Sequence, residues 1–137
     1  MNTYLWKLLN WATDHDIAWE VQDSLSPYTP CTSNPSNRRM VINSRYHDPL
    51  QLPFQAAHEC GHIINGDSGT LYLYTPSKTA LEGAASRTGI KILVPLFFDG
   101  VDDTDANSQR FVEAFHIPSS MVDWVQDEIV DYYTEAV

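Results

Sequence analysis

Basic residues are scarce in this chain: eight lysines and arginines stand against 18 aspartates and glutamates, for a formal net charge of −10. Such a surface repels phosphate backbones, so direct contact with nucleic acid is not expected. It suits solubility or a basic partner. Cysteine is scarcer still. Cys31 and Cys60 alone are too few for a disulfide framework, and they point to a reduced, cytosolic setting. No apolar run approaches the length of a membrane span. Met1 to Asp16 carries one lysine and no uninterrupted apolar core, so no signal peptide is expected. Internal repeats and low-complexity tracts are missing too.

What is present is a globular composition, 43% apolar with 12% aromatic. At 137 residues the chain is long enough for one sizeable core, and a single domain over 1–137 is expected. Leu5, Leu8, Leu9 and Ala12 recur at helical spacing, which predicts an opening helix from Tyr4 to Thr13 with Trp6 and Trp11 at its flanks. Ile17 to Val21 alternates as a strand does. Ser24 to Arg38 holds three prolines and little periodicity, so it reads as a loop long enough to border a substrate cleft. Arg39 to Asn43 reads as a second strand.

The most informative stretch is Phe54 to Gly66. Within it, His58-Glu59-Cys60-Gly61-His62 fits the H-E-x-x-H pattern of zinc hydrolases. Residues four apart on a helix lie about 400° around the axis, so both imidazoles share a face and can reach one metal ion. Glu59, one position round, is placed as a general base for the attacking water. The helix context is in order: Pro53 suits the first helical position, Phe54, Ala57, Ile63 and Ile64 supply an apolar side, and Asn65-Gly66 is a stop. A buried helix with two satisfied histidines is the plain alternative. The coincidence of motif, start and stop favours the metal.

Beyond Gly66, Thr70 to Tyr74 alternates like a strand. Its tyrosines would line a cleft or, as the commoner use of such a pattern, cover a solvent face. A helix is expected from about Lys78 to Ile92, ending before Pro95, with Gly83 and Gly89 tolerable where another backbone comes close. The tail predicts a helix from about Asp105 to Phe115, with Phe111, Val112 and Phe115 inward. His116-Ile117-Pro118 breaks it. Ser119 can cap a last helix whose core side is Val122, Val125 and Ile129. The acidic residues Asp123, Asp127, Glu128 and Asp131 argue against a DNA-binding helix pair. Asp103-x-Asp105-x-Asn107 lacks the glycine and final glutamate of a calcium loop.

A catalytic zinc needs a third protein ligand. Asp67, Glu82, His116 and the acidic residues near Asp102 are the candidates. Asp67 lies so close after His62 that a supporting role suits it better. Glu82 falls on the next predicted helix, the layout of a two-histidine, one-glutamate site, but Thr79 to Glu82 also reads as a capping box. Spacing leaves the choice open. A tyrosine or His116 could steady a developing oxyanion, though a histidine beside Ile117 is more often structural.

The segment Glu82 to Pro95 resembles the second motif of the ImmA/IrrE family of metallopeptidases, roughly E-x-x-A-N-x-F-A-x-x-L-L-M-P. Glu82, Ala85, Leu93 and Pro95 match in register, with Ile92 and Val94 as close substitutes. The family's first motif, F-x-x-A-H-E-x-G-H, is met by Phe54, Ala57, His58, Glu59, Gly61 and His62. The resemblance spans about residues 39–122. Ser86 stands where the family has asparagine, and Thr88-Gly89 replaces a Phe-Ala pair, which alters what orients and packs the ligands while leaving the ligand set whole.

The resemblance implies an α+β, zincin-like fold: a small antiparallel or mixed sheet packed on the H-E-x-x-H helix and on a second, glutamate-bearing helix, with C-terminal helices. It implies Zn²⁺ held by His58, His62 and Glu82, with Glu59 as the catalytic base. For biology it implies limited proteolysis of a repressor-type transcription regulator by a short, stand-alone phage or mobile-element antirepressor in the bacterial host cytoplasm. The rival is a non-catalytic antirepressor that binds and sequesters the repressor. An intact Glu59 favours the enzyme.

Overall fold

Leu5, Leu8, Leu9 and Ala12 fall on one stripe of the first helix, α1 (Thr3–Asp14), and all four are buried. Asn2 caps it, its side-chain oxygen accepting from the Leu5 N–H at 2.7 Å. These contacts open a computed structural model that describes residues 2–68 and 71–135.

The strands are β1 (Ala18–Gln22), β2 (Thr32–Asn34), β3 (Arg39–Asn43) and β4 (Tyr72–Leu73), in the spatial order β1-β3-β2-β4. β1 and β3 are parallel, with Trp19 opposite Met40 and Val21 opposite Ile42. β2 runs antiparallel to β3, and β4 antiparallel to β2. The sheet is therefore mixed. Arg38 fixes where it meets α1: at φ 54° its guanidinium donates to the carbonyls of His15 at 2.7 Å and Asp16 at 3.0 Å.

The helix α2 (Leu52–Ile64) is central, with every residue from Leu52 to Ile63 buried. Its Cys60 thiol meets Met40 Sδ of β3 at 3.8 Å, so the sheet covers one side of it. α3 (Ala80–Phe97) covers another at very short range. A Cβ on Gly89 would lie 2.9 Å from Ala57 C and His58 N of α2, and one on Gly61 would fall on the Ala85 carbonyl. The two glycines thus admit the two backbones to each other. α4 (Ser108–Phe115) sends Phe111 and Phe115 onto Phe97, at 5.5 and 5.4 Å between ring centroids, and α5 (Val122–Glu135) closes the chain. Among the described residues no helix is long and apolar enough to cross a membrane.

Several expectations need correction. The supposed loop from Ser24 to Arg38 contains β2, held by pairing on both sides that no local pattern announces. α3 does not stop before Pro95 but runs to Phe97, because Ile92, Leu93, Val94 and Phe98 are all buried and Pro95 sits so near the end that it removes one bond only. Helix α4 starts at Ser108; Asp103–Asp105 is a separate 3₁₀ turn. Val112 and, on α5, Val122 and Ile129 are half-buried rather than fully inward. Ser119 caps nothing and opens a 3₁₀ turn instead. Thr70 lies outside the described residues, and the strand expected there is confined to Tyr72–Leu73. Cys31 and Cys60 are both buried free thiols.

Candidate metal centre

One turn of α2 separates His58 from His62, and their rings stand edge to face with centroids 4.9 Å apart. Each ring is gripped on its Nδ1. Ser86 Oγ of α3 lies 2.8 Å from that of His58, and Asp67 Oδ2 lies 2.7 Å from that of His62. Both Nε2 atoms then face Glu82, in the first turn of α3. Glu82 Oε1 is 2.8 Å from His62 Nε2 and 3.5 Å from His58 Nε2. The three side chains each offer a ligand atom, and these atoms lie within 4.8 Å of one another.

The donor set fits a metal ion. A neutral imidazole that donates from Nδ1 carries a lone pair on Nε2. Two such lone pairs aimed at one carboxylate repel it unless a cation lies between them. His58 Nε2 is buried with no hydrogen-bond partner. Burial, and then the neighbouring His62, push the His58 pKa down to about 3, so its ring is neutral as a ligand must be. Ligands bound at about 2.0–2.2 Å to a tetrahedral ion sit about 3.3–3.6 Å apart; the 3.5 Å from Glu82 Oε1 to His58 Nε2 falls in that range, and the 2.8 Å to His62 Nε2 is shorter.

Glu59 is fully buried beside this cluster. The Ser33 hydroxyl donates to its Oε1 at 2.7 Å, while Oε2 has no partner. Burial raises the Glu59 pKa well above the usual carboxylate range, the Ser33 bond opposes the rise, and the Glu82 charge adds to it. A divalent cation held by the three ligands acts against that rise.

The tyrosines of the β4 segment do not cover a solvent face. Tyr72 stacks on the His62 ring at 4.1 Å, and its hydroxyl donates to the Ser68 carbonyl at 2.9 Å. Tyr74 stands edge-on to His58 at 5.1 Å and to Phe54 at 5.8 Å, and its buried hydroxyl has no partner. Burial, then Tyr46 and Glu59, push that phenol above its ordinary range, so it keeps its proton.

Other candidates fall elsewhere. His116 bonds Asp48 Oδ2 at 2.8 Å on the surface and stands outside the His58, His62 and Glu82 cluster. The acidic residues near Asp102 are exposed on their turn. Asp67 grips a ligand ring rather than standing in the ligand set. Nor is Glu82 part of a capping box: the Thr79 N–H donates to Ser77 Oγ at 3.2 Å, and the Glu82 carboxylate turns to the histidines. Ser33 was not foreseen at all, and nothing in its aperiodic stretch marks it.

A model of a peptidase family, described as the IrrE N-terminal-like domain, matches residues 11–98. The match contains β1 to β4, α2, all of α3 and every side chain named in the cluster; α4 and α5 follow it. Neither the curated proteins nor the solved structures give a match.

Proposed function

The chain belongs to the IrrE N-terminal-like peptidase family, and we propose that it is a zinc-dependent endopeptidase making a limited cut in a repressor-type transcription regulator. The observation that carries this reading is the Glu59 carboxylate. It is buried, held on one oxygen by Ser33, and free on the other beside His58, His62 and Glu82. A site that only held a structural ion has no use for such a group.

His58, His62 and Glu82 would hold the zinc, and Ser86 and Asp67 would set the angle and tautomer of the two rings. When bound, zinc supplies Lewis acidity, which polarises a carbonyl and makes water a stronger acid. Glu59 Oε2 accepts a proton from the attacking water, whose oxygen bonds to the peptide carbon as the carbonyl pair moves onto oxygen. Collapse then breaks the C–N bond, and Glu59 returns the proton to the leaving amine. Ser33 keeps the carboxylate aimed throughout. The net charge of −10 suits a basic, DNA-binding substrate.

One observation favours a second reading, capture of the repressor without cleavage. His58, Glu59 and His62 are all fully buried, with Tyr72 stacked on one histidine ring and Tyr74 edge-on to the other. Zinc-loaded protein incubated with a candidate repressor-type regulator, followed by intact mass, separates the two. Cleavage is expected, and Glu59→Gln should keep its zinc while losing about 10²–10⁴-fold in rate. A Glu59→Gln variant that still antagonises an intact repressor in full would sink the peptidase reading in favour of capture.

A further inference from the structure

Among the described residues, three buried side-chain polar atoms have no hydrogen-bond partner: His58 Nε2, Glu59 Oε2 and the Tyr74 hydroxyl. All three belong to one cluster. The first has a metal to explain it and the second a proton to move. The third has no role in either.

Its placement is fixed by the sheet. Tyr74 N donates to the Cys31 carbonyl at 2.9 Å, carrying the antiparallel pairing of β2 and β4 one residue further. Side chains alternate along a strand, so Tyr74, Tyr72 and Tyr72's partner Ser33 point to one face, that of α2. There Ser33 meets Glu59, Tyr72 meets His62 and Tyr74 meets His58. Tyr72's hydroxyl is already committed to the Ser68 carbonyl. Tyr74's is not. A buried hydroxyl without a partner destabilises the fold that keeps it, and such groups are retained where a ligand completes them.

We infer that Tyr74 is a further catalytic residue, whose hydroxyl donates a hydrogen bond to the oxyanion that forms when water adds to the scissile carbonyl. The inference rests on the peptidase reading above. Tyr74 transfers no proton: its O–H stays intact while the carbonyl pair shifts onto oxygen, and the proton of the attacking water goes to Glu59. A donor fixed in a dry site acts on the charge as it develops and not on the neutral carbonyl before it.

The test is Tyr74→Phe, with Tyr72→Phe as its control, on zinc-loaded protein. Tyr74→Phe should keep full zinc stoichiometry and hold or raise its thermal midpoint, since it removes only an unpaired hydroxyl. On the repressor, kcat should fall about 10²–10³-fold at nearly unchanged KM. Acetohydroxamate, which binds a zinc ion through its two oxygens and puts a negatively polarised oxygen where the oxyanion would form, should lose about tenfold in affinity by calorimetry in Tyr74→Phe and almost nothing in Tyr72→Phe. Equal hydroxamate affinities for wild type and Tyr74→Phe overturn the proposal, as does a wild type that binds no hydroxamate. A wild type that binds hydroxamate with the tenfold difference but leaves the repressor whole refutes the peptidase reading and keeps the Tyr74 contact.

Discussion

The helix half of the site and its sheet half hold their residues by different means. On the helix side, His58 and His62 are one turn apart by construction, and α3 is set against α2 by glycines that let backbone touch backbone at Gly61 and Gly89. On the sheet side, Ser33, Tyr72 and Tyr74 depend on β2 and β4, strands of three and two residues. Strands that short have few ladder bonds and open at little cost. The candidate metal ligands thus sit on the stiff half, and Ser33, which holds Glu59, and Tyr72 and Tyr74, which lie against the two histidine rings, sit on the half that can yield. On the peptidase reading proposed above, that arrangement reconciles a fully buried Glu59 with a peptide that must reach it.

The comparison breaks most readily at Glu82, the one ligand that joins α3 to α2. Glu82→Ala should bring zinc content, by metal analysis after gel filtration, well below one per chain. It should also abolish the stability gained from metal, about 2.7 kcal/mol when free metal is at 100 times its dissociation constant. A chelator should lower the thermal midpoint of wild type and leave that of Glu82→Ala where it is. Undiminished zinc in the variant removes Glu82 from the ligand set.

Gly61→Ala tests the stiffness itself. The added methyl meets the Ala85 backbone carbonyl, which cannot swing aside as a flexible side chain would. The expected loss is about 3 kcal/mol or more by urea unfolding, at the upper end of what overpacking costs. Gly66→Ala is the contrast: at φ 73° with no atom near its absent Cβ, it should lose only about 1 kcal/mol. Equal losses would mean that the helix contact is soft.

The same division decides what the sequence discloses. His58, Glu59 and His62 are legible because the helical repeat alone puts them together, and the segment after Glu82 points to a third candidate ligand through its resemblance to the family motif. The core stripe of α1 and the strand Arg39–Asn43 were legible for the same reason, that local periodicity sets them. Ser33 was not. Its place depends on a pairing with β3 and β4 that joins residues far apart in sequence, inside a stretch whose prolines read as loop. Tyr72 and Tyr74 showed strand alternation, but alternation does not say which face meets the core. Ser86 was visible only as a departure from asparagine; its hydroxyl reaches the His58 ring all the same. Pro95 misled because burial of its neighbours outweighed the one bond it removes.

The two serines give the finest test, since each makes one short bond to one residue of the motif and neither is a ligand. Ser86→Ala removes the partner of a metal-binding ring and should weaken zinc binding about 10–100-fold, measured by competition with a chromophoric chelator. Ser33→Ala removes the partner of Glu59 and should leave zinc affinity within about twofold while lowering kcat on the repressor, because an unanchored carboxylate spends less time aimed at the water. In stability the pair should differ little, each losing the roughly 1–3 kcal/mol of a buried hydrogen bond deprived of one partner. If Ser33→Ala weakened zinc as much as Ser86→Ala, the carboxylate and the ligands would move as one body. The stiff half would then extend through β2, and the yielding would be confined to the two residues of β4.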